Sequence, residues 1–242
     1  MHSMRKLVGA VAIVGATVAG AGSAQAEITA NVALTSDYVF RGISLSDNGP
    51  AIQGGFDWNS QQFYAGVWAS NVTEGVEITL YGGFTPTTGL VEWDLGVVGY
   101  FYPGADDDAA EFDYVEYLVG AKLPLSEQVS IGAAVYYAPD NWGGTGEAPY
   151  YEINAEYAPM DALLFSGAFG NQSIENPDGL PGGAEEDDYN TWNLGATYAY
   201  HGFTFDLRYH DTDIKTGSDI EAYTYGPASY DAAIVFTIGR EL

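Results

Sequence analysis

The chain of 242 residues contains no cysteine. If it is exported, no disulfide framework can hold it, and its stability must come from the secondary structure itself. Basic residues are scarce: Lys and Arg total 7 against 33 Asp and Glu, a formal net charge of −26. That balance excludes nucleic acid as a partner, because binding it requires Lys and Arg to neutralise phosphates. Charged residues make up only 17% of the chain, below the ~25% of an ordinary soluble domain. Part of the surface must therefore meet something other than water. Long apolar runs are lacking too. The run from Leu7 to Ala21 is shorter than the ~20 residues a spanning helix needs, and charges interrupt every later one.

That single run reads as a leader. Arg5 and Lys6 precede it, and Ser23-Ala24-Gln25-Ala26 follows with small residues two apart. The pattern predicts a secretory signal peptide over residues 1–26, cut after Ala26, and leaves residues 27–242 as one domain. What the chain has in quantity is aromatic side chains and glycine: Tyr 19, Phe 11, Trp 5 and Gly 31. So many aromatics argue against a disordered acidic tail.

Beyond the leader, apolar and polar residues alternate in twelve short segments: 27–42, 50–59, 63–70, 76–84, 91–103, 112–123, 129–139, 149–157, 163–170, 191–199, 203–210 and 230–242. In the fifth, Val91, Trp93, Leu95, Val97 and Phe101 share one face, and Glu92, Asp94, Gly96 and Tyr100 the other. In the eighth, Tyr151, Ile153, Ala155 and Tyr157 oppose Glu152, Asn154 and Glu156. In the eleventh, Phe203, Phe205, Leu207 and Tyr209 oppose Thr204, Asp206, Arg208 and His210. A period of two is the mark of a strand. About 10 residues at ~3.4 Å each, tilted ~45°, rise roughly 24 Å, close to the ~25 Å apolar band of a transmembrane β-barrel. Aromatics near strand ends (Tyr38, Phe40, Trp58, Phe101, Tyr102, Tyr137, Tyr157, Tyr198 and Tyr200) suit interfacial girdles.

The connections are sorted as well. The odd ones (43–49, 71–75, 104–111, 140–148, 171–190 and 211–229) carry 18 acidic residues, and the terse even ones carry two, Glu127 and Asp161. Loops on one rim and tight turns on the other fit an all-β, antiparallel up-and-down barrel of about 12 strands in an outer membrane. The last segment alternates through Ile234, Phe236 and Ile238. It ends on Leu242 after Arg240, where such barrels usually finish on an aromatic residue.

If the apolar face meets lipid, the other face lines the interior. The alternation places Asp37, Asp57, Glu77, Glu92, Asp94, Glu116, Glu152, Glu156 and Asp206 inside, opposed by Arg41, Lys122 and Arg208, with His210 beside them. Enclosed carboxylates need water, cations or Arg partners. Two readings follow: a hydrated, cation-favouring lumen, or a plugged barrel whose acids pair internally. Asp37 and Arg41, four apart on the predicted first strand, both point inward there, and an expected ion pair between them would pin the strand's register or narrow the pore. The acid runs Asp106-Asp107-Asp108 and Glu185-Glu186-Asp187-Asp188 could offer oxygen ligands to a metal, but lack the spacing of a dedicated calcium loop and read as solvated loops.

No Gly-x-Ser-x-Gly elbow, phosphate loop, Cys/His zinc spacing or haem motif is present. No cofactor is implied, and the expectation is not an enzyme. His201 falls in a turn, and only His210 with Asp206 offers a conceivable hydrolase pair.

The stretches Ser36-Asp37-Tyr38-Val39-Phe40-Arg41-Gly42-Ile43-Ser44, Pro50 to Asp57, Phe63 to Asn71, Asp94 to Pro103 and Tyr114-Val115-Glu116-Tyr117 resemble the TorF-type family of porins, bacterial outer-membrane proteins of unknown function. The resemblance covers nearly all of residues 27–242 and loosens between Ala158 and Asn190. It implies a barrel in a Gram-negative outer membrane that passes small solutes, and it supplies no catalytic residues. The expected surroundings are outer-membrane lipid and lipopolysaccharide, with small solutes or cations as cargo. The other function in view is a surface structural or interaction barrel, without an open pore, whose acidic loops bind cations.

Overall fold

The computed structural model describes residues 26–73, 75–105, 112–179 and 187–242. The predicted leader up to Gln25 lies outside these residues. So do Asp106, Asp107, Asp108, Glu185 and Glu186.

Twelve long strands follow one another: β1 Glu27–Thr35, β2 Ala51–Ser60, β3 Phe63–Val72, β4 Gly75–Phe84, β5 Val91–Phe101, β6 Tyr114–Pro124, β7 Val129–Ala138, β8 Ala148–Met160, β9 Leu163–Ile174, β10 Asp187–Tyr200, β11 Phe203–Thr212 and β12 Ala233–Glu241. Each pairs antiparallel with its neighbour in sequence, and β1 pairs with β12 from Asn31↔Glu241 to Thr35↔Thr237. The sheet is thus a closed barrel without an edge, which is how a β-structure satisfies its backbone inside a bilayer.

The burial pattern is inside out relative to a soluble protein. Ile153, Leu194 and Ile234 are 63%, 67% and 71% exposed, whereas Glu116, Thr197 and Thr79 are wholly buried. The faces are those the alternation predicts: Trp93, Leu95 and Val97 point out, and Glu92, Asp94 and Gly96 point in. Among the described residues, no buried side-chain nitrogen or oxygen lacks a hydrogen-bond partner. An apolar band outside and a satisfied polar lining inside are the lipid-facing solution to the same hydrophobic effect that builds soluble cores.

Both termini of the barrel and the tight turns lie at one end. At the turn between β10 and β11, His201 and Gly202 both have positive φ, 51° and 82°, the two-residue turn that matches strand twist. His201 is therefore a turn residue. The longer connections gather at the opposite end and include the 3-10 turns Trp142–Gly144, Asp219–Tyr223 and Pro227–Ser229.

The first strand departs from expectation. It ends at Thr35 rather than continuing to Gly42, and residues 36–50 turn inward as a lumen loop. Its tip is a small hairpin pairing Val39–Phe40 with Ile43–Ser44. Alternation through Tyr38 and Phe40 mimics a strand, but Arg41 and Gly42 have φ of 47° and 85°, a reversal no strand can accommodate. Strands β9 and β10 are longer than predicted, reaching Ile174 and starting at Asp187. Asp187 and Asp188 thus belong to a strand end and not to a free loop.

The inward hairpin carries the core with it. Ile43, Val98, Tyr100, Tyr114, Ile174, Tyr189, Ile220 and Tyr230 are buried together in the loop half of the barrel, with Phe40, Leu45, Trp142 and Tyr223 packed against them. The turn half keeps a polar lining.

Candidate functional site

The site is built on the hairpin tip. Asp37 anchors its base by accepting hydrogen bonds from the hydroxyls of Ser44 at 2.7 Å and Ser46 at 2.9 Å. Its tip packs against β10 and β11: a Cβ on Gly42 would lie 2.3 Å from Thr212 and 2.6 Å from Thr191. Glycine is required there for both its positive φ and this close approach.

The neighbouring Arg41 reaches the opposite side. Its guanidinium donates to both carboxylate oxygens of Glu116 on β6, at 2.7 and 2.9 Å, and to the side-chain oxygen of Gln172 on β9 at 2.9 Å. The guanidinium carbon also lies 4.2 Å from the ring centre of Tyr150, 5.1 Å from Tyr136 and 4.7 Å from Phe40. Burial opposes the charge on Arg41, yet the adjacent Glu116 carboxylate outweighs it and holds the pKa above its ordinary value. The expected Asp37–Arg41 pair does not form, because the chain reverses between them and sends the two side chains to different partners.

A second group secures the base of the loop. Tyr38 and Tyr102 both donate to Glu77, at 2.9 and 2.7 Å, and Thr79 donates to it at 3.3 Å. Tyr38, Phe40 and Tyr102 are therefore interior residues and not interfacial girdles. The girdle expectation holds for Trp58, Tyr157, Tyr198 and Tyr200, which face outward.

Below the loop, the predicted inward charges occupy the wall. Lys122 meets Glu156 at 2.6 Å, half exposed, and Ser130 also donates to Glu156. Arg208 meets Asp206 at 3.0 Å, deeply buried, and donates further to Asn193 and Ser166. Together with Arg41–Glu116, these are the ion pairs among the described residues. Each of the three interior cations thus has its own acid. The remaining acids are held by neutral donors. Tyr81 and Asn31 donate to Asp57, Tyr64 to Asp94 at 2.7 Å, and Tyr150 and Asn154 to Glu152. Glu92 sits in register with Lys122. The lining as a whole carries an excess of negative charge.

The tyrosines were not legible as site residues, although the signal was there. Inward-facing glycines sit opposite them: Gly83 pairs with Tyr64 and Gly66 with Tyr81. A Cβ on Gly83 would fall 2.5 Å from the Tyr64 ring, and one on Gly66 2.4 Å from the Tyr81 ring. The glycines let the rings lie flat on the wall, with each hydroxyl reaching a carboxylate.

The conceivable His210–Asp206 pair is not assembled. Asp206 accepts from Thr197 at 2.6 Å and from Arg208. His210 lies four residues along the same strand, roughly 13 Å away at strand rise. For a metal, no cluster of three or more ligating side chains occurs among the described residues. Of the second acid run, Asp187 accepts the backbone N–H of Ile220, and Asp188 accepts from Asn171.

The barrel is similar to solved porins. The KdgM porin in complex with disordered oligogalacturonate superposes with a TM-score of 0.57 at 4% identity, over 89% of this chain and 98% of that one. The NanC porin does so with a TM-score of 0.54 at 10% identity, over 87% and 97%. At such identities the likeness is one of fold alone: the chain is a porin-like, closed twelve-stranded barrel. No curated protein matches the chain. In sequence, residues 19–242 match Gcw_chp, a bacterial protein family of unknown function, and the chain belongs to that family.

Proposed function

We propose that the protein is a channel of the Gram-negative outer membrane that passes small solutes by diffusion and favours cations. The observation that carries this reading is the charge of the lining. Glu77, Glu92, Asp94, Asp57 and Glu152 face the interior beyond the three acids that pair with Arg41, Lys122 and Arg208. Acids that outnumber the interior cations favour a negative potential, and such a lining attracts cations and repels anions. KdgM is a porin seen with an oligogalacturonate, a polyanion; the acidic lining here is unsuited to such cargo. The likeness to porins and the resemblance to TorF-type porins support the same reading, as does the predicted signal peptide. Asp57, Glu77, Glu92, Asp94, Glu116, Lys122, Glu152, Glu156, Asp206 and Arg208 set field and width from the wall, and Asp37 and Arg41 from the loop.

Single-channel recording in planar bilayers under a salt gradient tests it. The expected result is current with a cation-selective reversal potential. Anion selectivity would overturn the reading.

One observation favours a second reading. Residues 36–50 fill the loop half of the lumen, and the cavity left beside Arg41 measures about 30 Å³, room for roughly one water. A barrel closed in this way could serve as a surface structure whose acidic loops bind divalent cations bridging to lipopolysaccharide. Unchanged permeability in cells lacking the chain, together with loss of surface cation binding, would mark that role.

A further inference from the structure

The wall of the barrel contains a guanidinium site that the protein itself occupies. Four wall residues on four different strands, Glu116 (β6), Tyr136 (β7), Tyr150 (β8) and Gln172 (β9), converge on Arg41. Glu116 gives two parallel acceptors at 2.7 and 2.9 Å, the fork that matches a planar guanidinium and not a spherical ammonium. Gln172 gives a third acceptor at 2.9 Å. Tyr150 and Tyr136 offer π faces 4.2 and 5.1 Å from the central carbon. All four belong to the sheet, so their backbone positions do not depend on the loop.

The occupant is the movable part. Arg41 lies on a loop and is held at φ 47°, a left-handed conformation costly for a residue with a side chain. The cavity at the loop end borders Arg41 and Gln172 and is walled by Trp142, Tyr189 and Tyr223; it admits water and not a guanidinium, so a solute reaches the cage only as Arg41 leaves it.

We infer that this cage is a recognition site for small guanidinium-bearing solutes, occupied at rest by Arg41, so that an incoming guanidinium displaces Arg41 and releases the 36–50 loop from the lumen. The inference deepens the cation-channel reading and rests on it for the loop to be a gate; the cage itself does not depend on current.

The test uses methylguanidinium, with methylammonium as the control of equal charge, on the full barrel refolded in detergent. Calorimetric titration of Arg41→Ala, its folding checked by heat-modifiable mobility, is expected to show methylguanidinium binding roughly tenfold or more tighter than in the wild type. A comparable gain is expected over the double variant Arg41→Ala/Glu116→Gln and over methylammonium. In the wild type, methylguanidinium and not methylammonium should accelerate chymotryptic cleavage at Phe40, a readout that stands even if the variant does not fold. Equal binding by single and double variants, or equal cleavage with the two cations, overturns the inference. A barrel that binds methylguanidinium but carries no current overturns the channel reading alone. One that conducts cations without binding overturns the cage alone.

Discussion

Arg41 and Glu116, 75 positions apart in the chain, are joined by a two-pronged ion pair at 2.7 and 2.9 Å inside the barrel. Both side chains are nearly sealed from solvent. The pair ties a reversing loop to a rigid wall, and its loss should be felt in two independent measurements.

In the first, Glu116→Gln leaves the Arg41 charge enclosed with only neutral partners. Breaking a buried pair from one side costs about 3–5 kcal/mol. Urea unfolding of the refolded barrel should show a loss of that order, and bilayer currents should rise in amplitude or noise as the loop detaches. A stability change of under ~1 kcal/mol, the worth of a surface pair, would mean that the loop is not held this way.

Gly83→Ala should destabilise through the Tyr64 ring. The added methyl would sit 2.5 Å from it, and the ring cannot withdraw without giving up its bond to Asp94. Overpacking of this kind costs about 1–3 kcal/mol. Because the two residues touch, the double variant Gly83→Ala/Tyr64→Ala should recover much of the loss, and a double-mutant cycle reads the coupling.

Tyr38, Tyr102 and Tyr223 titrate above the ordinary phenol value of 10.0, each chiefly because burial disfavours the phenolate. The nearby Glu77 adds to the effect at Tyr38 and Tyr102. The folded state thus holds these protons more tightly than the unfolded chain. The stability they contribute is fully present below the unfolded value and is lost as pH rises through the folded ones. Tyrosinate absorbance should show a late-titrating class, and the loop should loosen only above about pH 10. Uniform titration of all tyrosines at the ordinary value would contradict the buried loop.

Asp57→Asn combined with Asp94→Asn removes two lining charges while keeping acceptors for Tyr81 and Tyr64. The reversal potential under a salt gradient should move toward zero with little change in stability. An unchanged potential would assign selectivity elsewhere.

Ile153 and Asn154 are adjacent on β8 and face opposite sides. Ile153→Arg should cost about 2–4 kcal/mol in lipid vesicles, the price of an arginine near the bilayer midplane. Asn154→Arg, beside Glu152 and Glu156, should carry no such hydrocarbon term. Equal effects would remove the distinction between the two faces.

How far the sequence reached is clearest on single strands. On β5, the residue-by-residue alternation of Val91 to Phe101 identified both faces, and with them Glu92 and Asp94 as interior groups. On the first segment the same rule failed. Tyr38 and Phe40 have strand-like spacing, but the reversal at Arg41 and Gly42 depends on a turn whose usual marker, Asn or Asp before Gly, is absent. The tyrosines of the lining were missed for a different reason. Tyr64 and Tyr81 each fit because of the glycine opposite, and which glycine is opposite is a matter of register and not of local pattern.

The sequence by itself determined that the chain alternates, how many times it does so, which side chains of each strand share a face, and that one rim carries the acids. These follow from a period of two, a property of neighbouring residues. Only the tertiary structure decided that residues 36–50 enter the lumen, that Arg41 meets Glu116 and not Asp37, and that Tyr38 and Tyr102 share Glu77. Closing twelve strands into a ring sets which side chains face each other across the interior, and no local pattern encodes a distance spanned by the whole circumference.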